Sequence, residues 1–381
     1  MRVRASCIAA GVALAVVVGC GDGRPPPGTI GFAQTPPPAL GGPGTKNTLP
    51  GCGQQQNGGY CDCVDAPLTY DQPNMYFVLD RSGSMQEDDK WDTVRLTVAN
   101  VMRQVGARAK FGAMIFPGGN GDDCNPGSEI LKTATGDPPN PGGGDGPLVT
   151  ALVSATAAVA PHGGTPTAAG LGLALSKLQT LSGRSFVILA TDGGPNCNEV
   201  TQCDATKCQD NIENISGCPP GGPPNCCAPP LGDPRGCLDD VATEQAAAAL
   251  AQAKIPVYVV GIPGSSVYAD VLDQTAVSGG TPQSATSPKY FRVDSTDQSA
   301  LLAALKKVAA KITATCTFNL TQVPGDPNLV NVYFDEEVVP KDPNWTLDGT
   351  TLTLQGLACD AVKNGDVIDV RIIVGCPTAL H

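Results

Sequence analysis

The sequence predicts an α/β fold in which a doubly wound, mostly parallel sheet is flanked by helices and followed by a small β module. Segments with strand character alternate with helical segments over residues 73–312, which is typical of a parallel sheet covered by helices on both faces. Residues 313–381 instead show the alternating apolar and polar positions of short strands. We therefore expect a main α/β domain and a separate C-terminal module.

The predicted elements of the main domain follow one another in a regular order. Strands are predicted at 75–79, 110–116, 129–133, 185–191, 256–261 and 289–293. Helices are predicted at 90–105, 147–158, 166–179, 240–253, 267–276 and 298–312. Ligands of such sheets bind beyond the carboxyl ends of the strands, which is where Asp80 and Asp192 fall.

The C-terminal module has a small core at best, because it contains fewer than 70 residues. We expect disulfide bonds to support a module of this size, and Cys316, Cys359 and Cys376 are available for them. Its predicted strands lie at 317–321, 329–334, 345–347, 350–354 and 367–374.

The first 20 residues have the pattern of a bacterial lipoprotein signal. Arg2 and Arg4 precede an apolar stretch that is too short to span a membrane and ends at a small residue before Cys20. Cleavage of this signal, residues 1–19, would leave a lipid anchor on Cys20 and place the protein in the cell envelope. Gly21 in place of an aspartate favours the outer membrane. The alternative is an ordinary secretory signal with an incidental cysteine.

Residues 20–50 are predicted to form an extended tether. Half of the 30 residues from Gly21 to Pro50 are glycine or proline, so no core can form there. At about 3 Å per residue, the tether reaches on the order of 90 Å from the membrane. A small cysteine-containing segment, residues 51–72, separates the tether from the main domain.

The charge of the chain excludes some classes of partner. A net charge of −12 argues against nucleic acid, whose phosphates would be repelled. Nucleotide binding is unsupported, since the sequence contains no G-x-x-x-x-G-K loop and Gly170-Leu171-Gly172 lies within a predicted helix that follows no strand. A cation, a protein or a glycan remains as the expected partner.

The cysteine content indicates an exported, disulfide-bonded protein. Of the 16 cysteines, Cys7 belongs to the signal and Cys20 would carry lipid, which leaves an even number. Zinc is the weaker interpretation, since no C-x-x-C pair occurs and the only histidines are His162 and His381. The disulfide candidates are Cys52, Cys61, Cys63, Cys124, Cys197, Cys203, Cys208, Cys218, Cys226, Cys227, Cys237, Cys316, Cys359 and Cys376.

We predict that these cysteines pair within two groups. Eight of them lie in the loop 117–146 and in the cysteine-rich insert 193–237, which should emerge at the same edge of the sheet. The other six form one trio before the main domain and one trio in the C-terminal module. Because each trio is odd, at least one disulfide should join the two trios. Cys316 is the best candidate for it, since it directly follows the last predicted helix.

Three segments place oxygen-bearing side chains where the sheet should bind its ligand. Together they offer carboxylates and hydroxyls on tight turns, and such ligands suit the hard cations Mg²⁺ and Mn²⁺. The segments are Asp80-Arg81-Ser82-Gly83-Ser84 after the first strand, Gly163-Gly164-Thr165-Pro166-Thr167 before a helix, and Asp192-Gly193 after the strand 185–191.

This D-x-S-x-S spacing, followed in order by the other two segments, resembles the metal-ion-dependent adhesion site of von Willebrand factor A-type (VWA) domains, which have a Rossmann-like fold. The resemblance covers residues 73–312, and the insert with its β-rich tail is similar to exported A-type lipoproteins of myxobacteria. It implies a bound Mg²⁺ or Mn²⁺ whose remaining position takes an acidic side chain of a partner. The metal residues that it implies are Asp80, Ser82, Ser84, Thr165 and Asp192.

Each segment also has a simpler structural interpretation. The Asp80 turn could serve only to satisfy backbone groups, Thr165 could cap the helix that follows it, and Asp192-Gly193 is an ordinary turn signal. A catalytic arrangement is a further alternative, with Ser82 or Ser84 as nucleophile, His162 as base and Asp192 as its partner. No G-x-S-x-G elbow accompanies these residues, so the hydroxyls are better employed on a cation.

The predicted function is that of a non-enzymatic, membrane-anchored binding or adhesion protein that captures an acidic group through its metal ion. The alternative is a scaffold or assembly subunit of an envelope complex, with a structural metal site. In a third interpretation the metal is structural and the cysteine-rich insert contacts the partner.

Overall fold

The computed structural model describes residues 64–65, 68–69, 72–119, 123–138, 144–200, 202–320, 322–334, 337–364, 367 and 370–375. The predicted signal, the lipidation site Cys20, the tether, and Cys52, Cys61, Cys63 and Cys376 lie outside the described residues. None of the helices in the described part of the chain combines the length and the apolar character needed to cross a membrane.

The described elements alternate through the main domain and become mostly strands after it. The strands are β1 (Val64–Asp65), β2 (Leu68–Thr69), β3 (Asn74–Asp80), β4 (Lys110–Phe116), β5 (Ser128–Thr135), β6 (Ser185–Thr191), β7 (Val257–Gly261), β8 (Phe291–Arg292), β9 (Thr317–Leu320), β10 (Val330–Phe334), β11 (Glu337–Val339), β12 (Trp345–Asp348), β13 (Thr351–Leu354) and β14 (Val370–Val374). The helices are α1 (Lys90–Val105), α2 (Pro147–Ala157), α3 (Thr167–Leu178), α4 (Gln209–Ile212), α5 (Asp240–Gln252), α6 (Ala269–Ser278), α7 (Gln298–Thr313), α8 (Lys341–Asn344) and α9 (Gly356–Asn364).

The main domain is built on a six-stranded sheet with the order β5-β4-β3-β6-β7-β8. Neighbours from β4 to β8 pair in parallel, and β5 pairs with β4 in the antiparallel direction. The connection from β4 to β5 contains no helix in its described part, and strands joined in that way run antiparallel. The predicted doubly wound, mostly parallel sheet is confirmed.

Both faces of the sheet are covered by helices. Along β3, alternate side chains enter two different cores, because successive residues of a strand point to opposite faces. Met75, Phe77 and Leu79 pack with residues of α1, α2 and α7. Tyr76 and Val78 pack with residues of α3, α5 and α6. Burial on both faces explains why the strand reads as a continuous apolar run.

The C-terminal module consists of two four-stranded sheets, with the orders β1-β14-β10-β11 and β12-β13-β9-β2. Its core contains Phe318, Val332, Trp345 and Leu352. Two strands come from the segment predicted to stand apart as residues 51–72, since β1 pairs with β14 and β2 pairs with β9. The main domain is therefore inserted between two paired strands of the module. Strands of two residues carry no periodic pattern, which is why the sequence did not indicate them.

The described disulfide of the module joins Cys316 to Cys359, with their Cα atoms 5.3 Å apart. The prediction that Cys316 bonds to the N-terminal trio is therefore wrong. The reason is α9, a helix that the sequence analysis did not predict. Cys359 and Val362 on α9 pack into the core of the module, and this brings Cys359 to the start of β9.

We expect that the double substitution Cys316→Ser and Cys359→Ser lowers the free energy of unfolding of the module by about 2–4 kcal/mol, because the bond closes a long loop. The chain contains two tryptophans, Trp345 in the module and Trp91 on α1. Urea unfolding followed by Trp345 fluorescence in a Trp91→Phe background measures the effect. The same substitutions should leave unfolding at Trp91 unchanged in a Trp345→Phe background. An unshifted Trp345 transition would contradict the expectation.

Candidate metal site

Asp80 is the last residue of β3 and is fully buried. Two donors hold its carboxylate. The Thr191 hydroxyl donates to Oδ2 over 2.6 Å, and the backbone N–H of Ser82 donates to Oδ1 over 2.7 Å. Thr191 ends β6, the parallel neighbour of β3, so the ends of the two strands meet here. Asp80 thus lies at the carboxyl edge of the sheet, where sheets of this kind bind ligands.

The two predicted serines lie on the turn that follows Asp80. Their hydroxyl oxygens are 3.2 Å apart, and the Ser84 hydroxyl donates to Oδ1 of Asp192 over 2.8 Å. Asp192 directly follows β6 and is buried. The structure therefore brings the hydroxyls from one strand end to the carboxylate of the next.

Thr165 approaches the same point from a separate loop. The Gly83 N–H donates to the Gly163 carbonyl over 3.0 Å, which joins this loop to the serine turn. A methyl group placed on Gly193 would lie 3.7 Å from both Ser84 Oγ and Thr165 Oγ1, so both hydroxyls border Gly193. Helix α3 begins at Thr167 and shows no side-chain cap bond, so the structure does not show Thr165 capping it.

Burial and mutual repulsion define the electrostatics of the site. Burial raises the pKa of Asp80 to about 7, and the negative charge of Asp192 adds to the shift. The hydrogen bonds from Thr191 and Ser82 favour the charged carboxylate and limit this rise. Asp80 therefore resists ionisation in the metal-free protein, and its loss of a proton would place two negative charges side by side.

Lys90, which the sequence analysis missed, supplies part of the missing positive charge. Its ammonium is buried and donates to Asp192 Oδ2 over 2.8 Å, and it also lies 3.4 Å from Glu87 Oε2. Burial by itself lowers the pKa of Lys90, but the bonds and charges of Asp192 and Glu87 outweigh burial, so the pKa is raised. Lys90 opens α1, where a cation is disfavoured by the helix dipole. A lysine at this unfavourable position was the feature of the sequence that could have indicated a nearby anionic partner.

Arg81 is the second residue that the sequence analysis missed. Its guanidinium is almost fully buried and donates to three backbone carbonyls: Pro117 over 2.6 Å, Ala160 over 3.0 Å and Gly119 over 3.1 Å. Burial lowers its pKa. The side chain therefore connects the serine turn to the loop after β4 and to the segment before Thr165.

The residues present fit a hard divalent cation. Carboxylate and hydroxyl oxygens converge from three segments, which is the ligand chemistry that Mg²⁺ and Mn²⁺ prefer. The described ion pairs give the two buried carboxylates a single cationic partner, Lys90. When both carboxylates are ionised, one negative charge is left uncompensated, and a bound dication would compensate it and favour the ionised form of Asp80. The residues that would hold the ion are Asp80, Ser82, Ser84, Thr165 and Asp192.

The histidine of the catalytic alternative has a different contact. His162 is half-exposed, and its Nδ1 lies 3.6 Å from the carboxylate of Asp123. Its backbone N–H donates to the Arg81 carbonyl over 2.9 Å. The Ser84 hydroxyl donates directly to Asp192, so the described contacts do not assemble a serine–histidine pair.

The eight cysteines beside this edge pair among themselves in four disulfides. Cys203, Cys227 and Cys237 bring their sulfurs within 4.8 Å of one another, but all three are engaged in disulfides and offer no thiolate to a metal. The insert also packs on the domain through Ile212, which contacts a cluster containing Leu238 and Tyr268. The disulfides are Cys124–Cys197, Cys203–Cys237, Cys208–Cys227 and Cys218–Cys226.

No protein-family model matches the chain, and no curated protein matches it. Solved structures resemble it at low identity. The pilus adhesin SpaC from Lactobacillus rhamnosus GG is 16% identical over 82% of this chain, which spans only 40% of SpaC, with a TM-score of 0.48. The vWF domain of the type V pili tip protein Mfa5 from Porphyromonas gingivalis is 14% identical over 65% of this chain and 96% of that structure, with a TM-score of 0.44.

A third similar structure is the manganese-loaded TRAP protein of Plasmodium vivax, which is 15% identical over 64% of this chain and 74% of its own, with a TM-score of 0.37. All three TM-scores lie below 0.5. The assignment of the site therefore rests on the geometry of this chain's own residues.

For the metal-free protein we expect Asp80 to make stability fall with rising pH. Its pKa is 3.8 ordinarily and about 7 in the folded state, so the folded protein keeps a proton that the unfolded chain releases. The resulting stabilisation is complete below pH 3.8 and is lost as the pH rises through 7. Asp80→Asn should flatten this slope. Urea unfolding of chelator-treated proteins between pH 4 and pH 8 measures it, and equal slopes for the two proteins would contradict the expectation.

Proposed function

We propose that this protein is a membrane-anchored, divalent-cation-dependent binding or adhesion protein that captures an acidic group of a protein or other ligand through bound Mg²⁺ or Mn²⁺. The observation that carries the proposal is the convergence of two buried carboxylates and two serine hydroxyls with one lysine as their cationic partner. Such a set is costly to bury without a further positive charge.

Charge counting supports an acidic ligand. Among the buried groups, Asp80 and Asp192 contribute two negative charges once both are ionised, and Lys90 contributes one positive charge. The carboxylate of Glu87, the other partner of Lys90, is exposed to solvent and is left out of this count. With a dication bound, these buried groups would carry one excess positive charge, which a single incoming carboxylate would neutralise. The ion, when bound, supplies an electrophile for that carboxylate oxygen. Lys90 keeps Asp192 paired and leaves the charge balance in favour of an anionic ligand.

The exposure of the site favours ligand capture over a purely structural ion. Gly83 is exposed and Ser84 is half-buried, whereas Asp80, Ser82 and Asp192 beneath them are buried. The cluster is therefore closed toward the sheet and open toward solvent. We infer binding rather than catalysis, because the described contacts pair the Ser84 hydroxyl with a carboxylate and offer it no base from His162.

We expect Asp80→Ala to abolish binding of Mg²⁺ and Mn²⁺, and Asp192→Ala to weaken it severely, because each change removes a charge as well as a ligand. Ser82→Ala removes a neutral ligand only and should cost on the order of tenfold in affinity, or about 1.4 kcal/mol. Asp92→Ala removes an exposed carboxylate on α1 and is the matched control. Isothermal titration calorimetry measures each affinity. Equal affinity of Asp80→Ala and the unmodified protein would refute the assignment.

Ligand capture is tested with a surface extract, passed over the immobilised protein with Mg²⁺ or with EDTA. We expect acidic partners to be retained with Mg²⁺ and released by EDTA, and Asp80→Ala to retain none of them. Retention that is unaffected by EDTA would instead support a structural metal site or contact through the cysteine-rich insert.

The proposed anchor is tested separately from the metal. We expect a Cys20→Ser form to leave the membrane fraction, because the lipid is attached to that sulfur. Fractionation of cells that express each form measures the distribution. A Cys20→Ser protein that remains membrane-bound under mild extraction would speak against lipidation.

A further inference from the structure

We propose that the Cys124–Cys197 disulfide positions Thr165 for metal binding, so that its reduction lowers the affinity of the site for the cation. The inference rests on the proposed function, since Thr165 matters here only as a metal ligand. Its basis is the loop of residues 162–165, which we call the Thr165 loop, and the two segments that hold it.

One side of the Thr165 loop is bonded to the serine turn. The Gly83 N–H donates to the Gly163 carbonyl over 3.0 Å, and the His162 N–H donates to the Arg81 carbonyl over 2.9 Å. These bonds fix the spacing between Thr165 and the serine hydroxyls. Both bonds lie before Thr165, so the position of Thr165 itself also depends on what holds the other side of the loop.

The other side of the loop packs directly against the disulfide and its neighbour. The Gly164 N–H donates to the Asp123 carbonyl over 2.9 Å. A methyl group on Gly164 would lie 2.5 Å from Cys197 Sγ, and one on Gly163 would lie 2.7 Å from the Asp123 carbonyl oxygen. Both distances are too short for a side chain. The glycines therefore let the loop lie in van der Waals contact with the 123–124 and 197 segments.

Asn196 connects the disulfide to Thr165 itself. Its Oδ1 accepts from the Thr165 N–H over 2.7 Å, and its own N–H donates to the Thr165 carbonyl over 3.0 Å. Asn196 is buried, and its side-chain amide donates to Gln209 of the insert. Because Asn196 precedes Cys197, the disulfide fixes the residue that binds both backbone groups of Thr165. Asn196 and Cys197 are thus positioning residues.

Among the described disulfides, Cys124–Cys197 is the one in which neither cysteine is buried. The other described disulfides each contain at least one buried cysteine, such as Cys208 or Cys237. A dithiol reductant should therefore attack Cys124–Cys197 first, because exchange requires access to a sulfur. In that reaction the S–S bond breaks, both sulfurs receive a proton and an electron, and the dithiol becomes a disulfide.

The test compares Cys124→Ser/Cys197→Ser with Cys218→Ser/Cys226→Ser. The second variant removes a disulfide that lies within the insert and has no described contact to the Thr165 loop. Calorimetry with Mg²⁺ and with Mn²⁺ should show an affinity about 10- to 100-fold lower for the first variant and unchanged for the second. In the metal-free proteins, hydrogen exchange at the Thr165 amide should be faster in the first variant alone.

Folding defects are controlled with the unmodified protein, reduced by graded dithiol and then reoxidised. Alkylation of samples withdrawn at each step, followed by mass spectrometry, identifies which cysteines have opened. The affinity of the unalkylated remainder should fall as Cys124 and Cys197 open and return when it is reoxidised. Equal affinities of the oxidised protein and of Cys124→Ser/Cys197→Ser would overturn this inference and leave the proposed function intact. Absence of metal binding by the oxidised protein would overturn both.

Discussion

The burial of Asp80 and Asp192 beside a single ammonium is the constraint on which the rest of the site depends. Two carboxylates at the ends of neighbouring strands would repel each other strongly in a dry environment. Lys90 pairs with Asp192, while Thr191 and the Ser82 N–H hold Asp80. These contacts hold the two carboxyl groups in place but do not neutralise the charge of the ionised pair. The negative charge of the ionised pair is the reason why we propose that the site binds a dication.

The architecture explains why these groups meet. Parallel strands have their carboxyl ends at the same edge of the sheet. Because β3 and β6 are neighbouring parallel strands, their pairing alone places Asp80 and Asp192 close together. The cores on both faces fix the strands rigidly. Loops then add what the sheet does not supply: Arg81 connects three backbone segments, and the cysteine-rich insert holds the Thr165 loop. The segments on either side of the main domain in the sequence, β2 and β9, pair with each other in the C-terminal module.

The fold was predictable wherever the pattern is local. The strands of the main domain read as apolar runs that alternate with helical segments, and Asp80 and Asp192 lie where two of these strands end. Lys90 and Asn196 were not predictable in this way, because their partners are 102 and 31 residues away. Pairing of Cys316 depended on α9, a short helix whose packing the strand-like surroundings concealed. Contacts between distant segments determine the parts of the structure that local sequence patterns do not indicate.

A crystal structure of the protein with Mn²⁺, with data collected at the manganese absorption edge, tests the central claim most directly. Anomalous scattering locates the ion independently of any assumption about its ligands. The account predicts one peak at about 2 Å from the hydroxyl oxygens of Ser82 and Ser84, on the solvent side of Asp80 and Asp192. A peak elsewhere in the protein would contradict it. So would the absence of any peak at these residues, with Lys90, Asp80 and Asp192 unchanged in position.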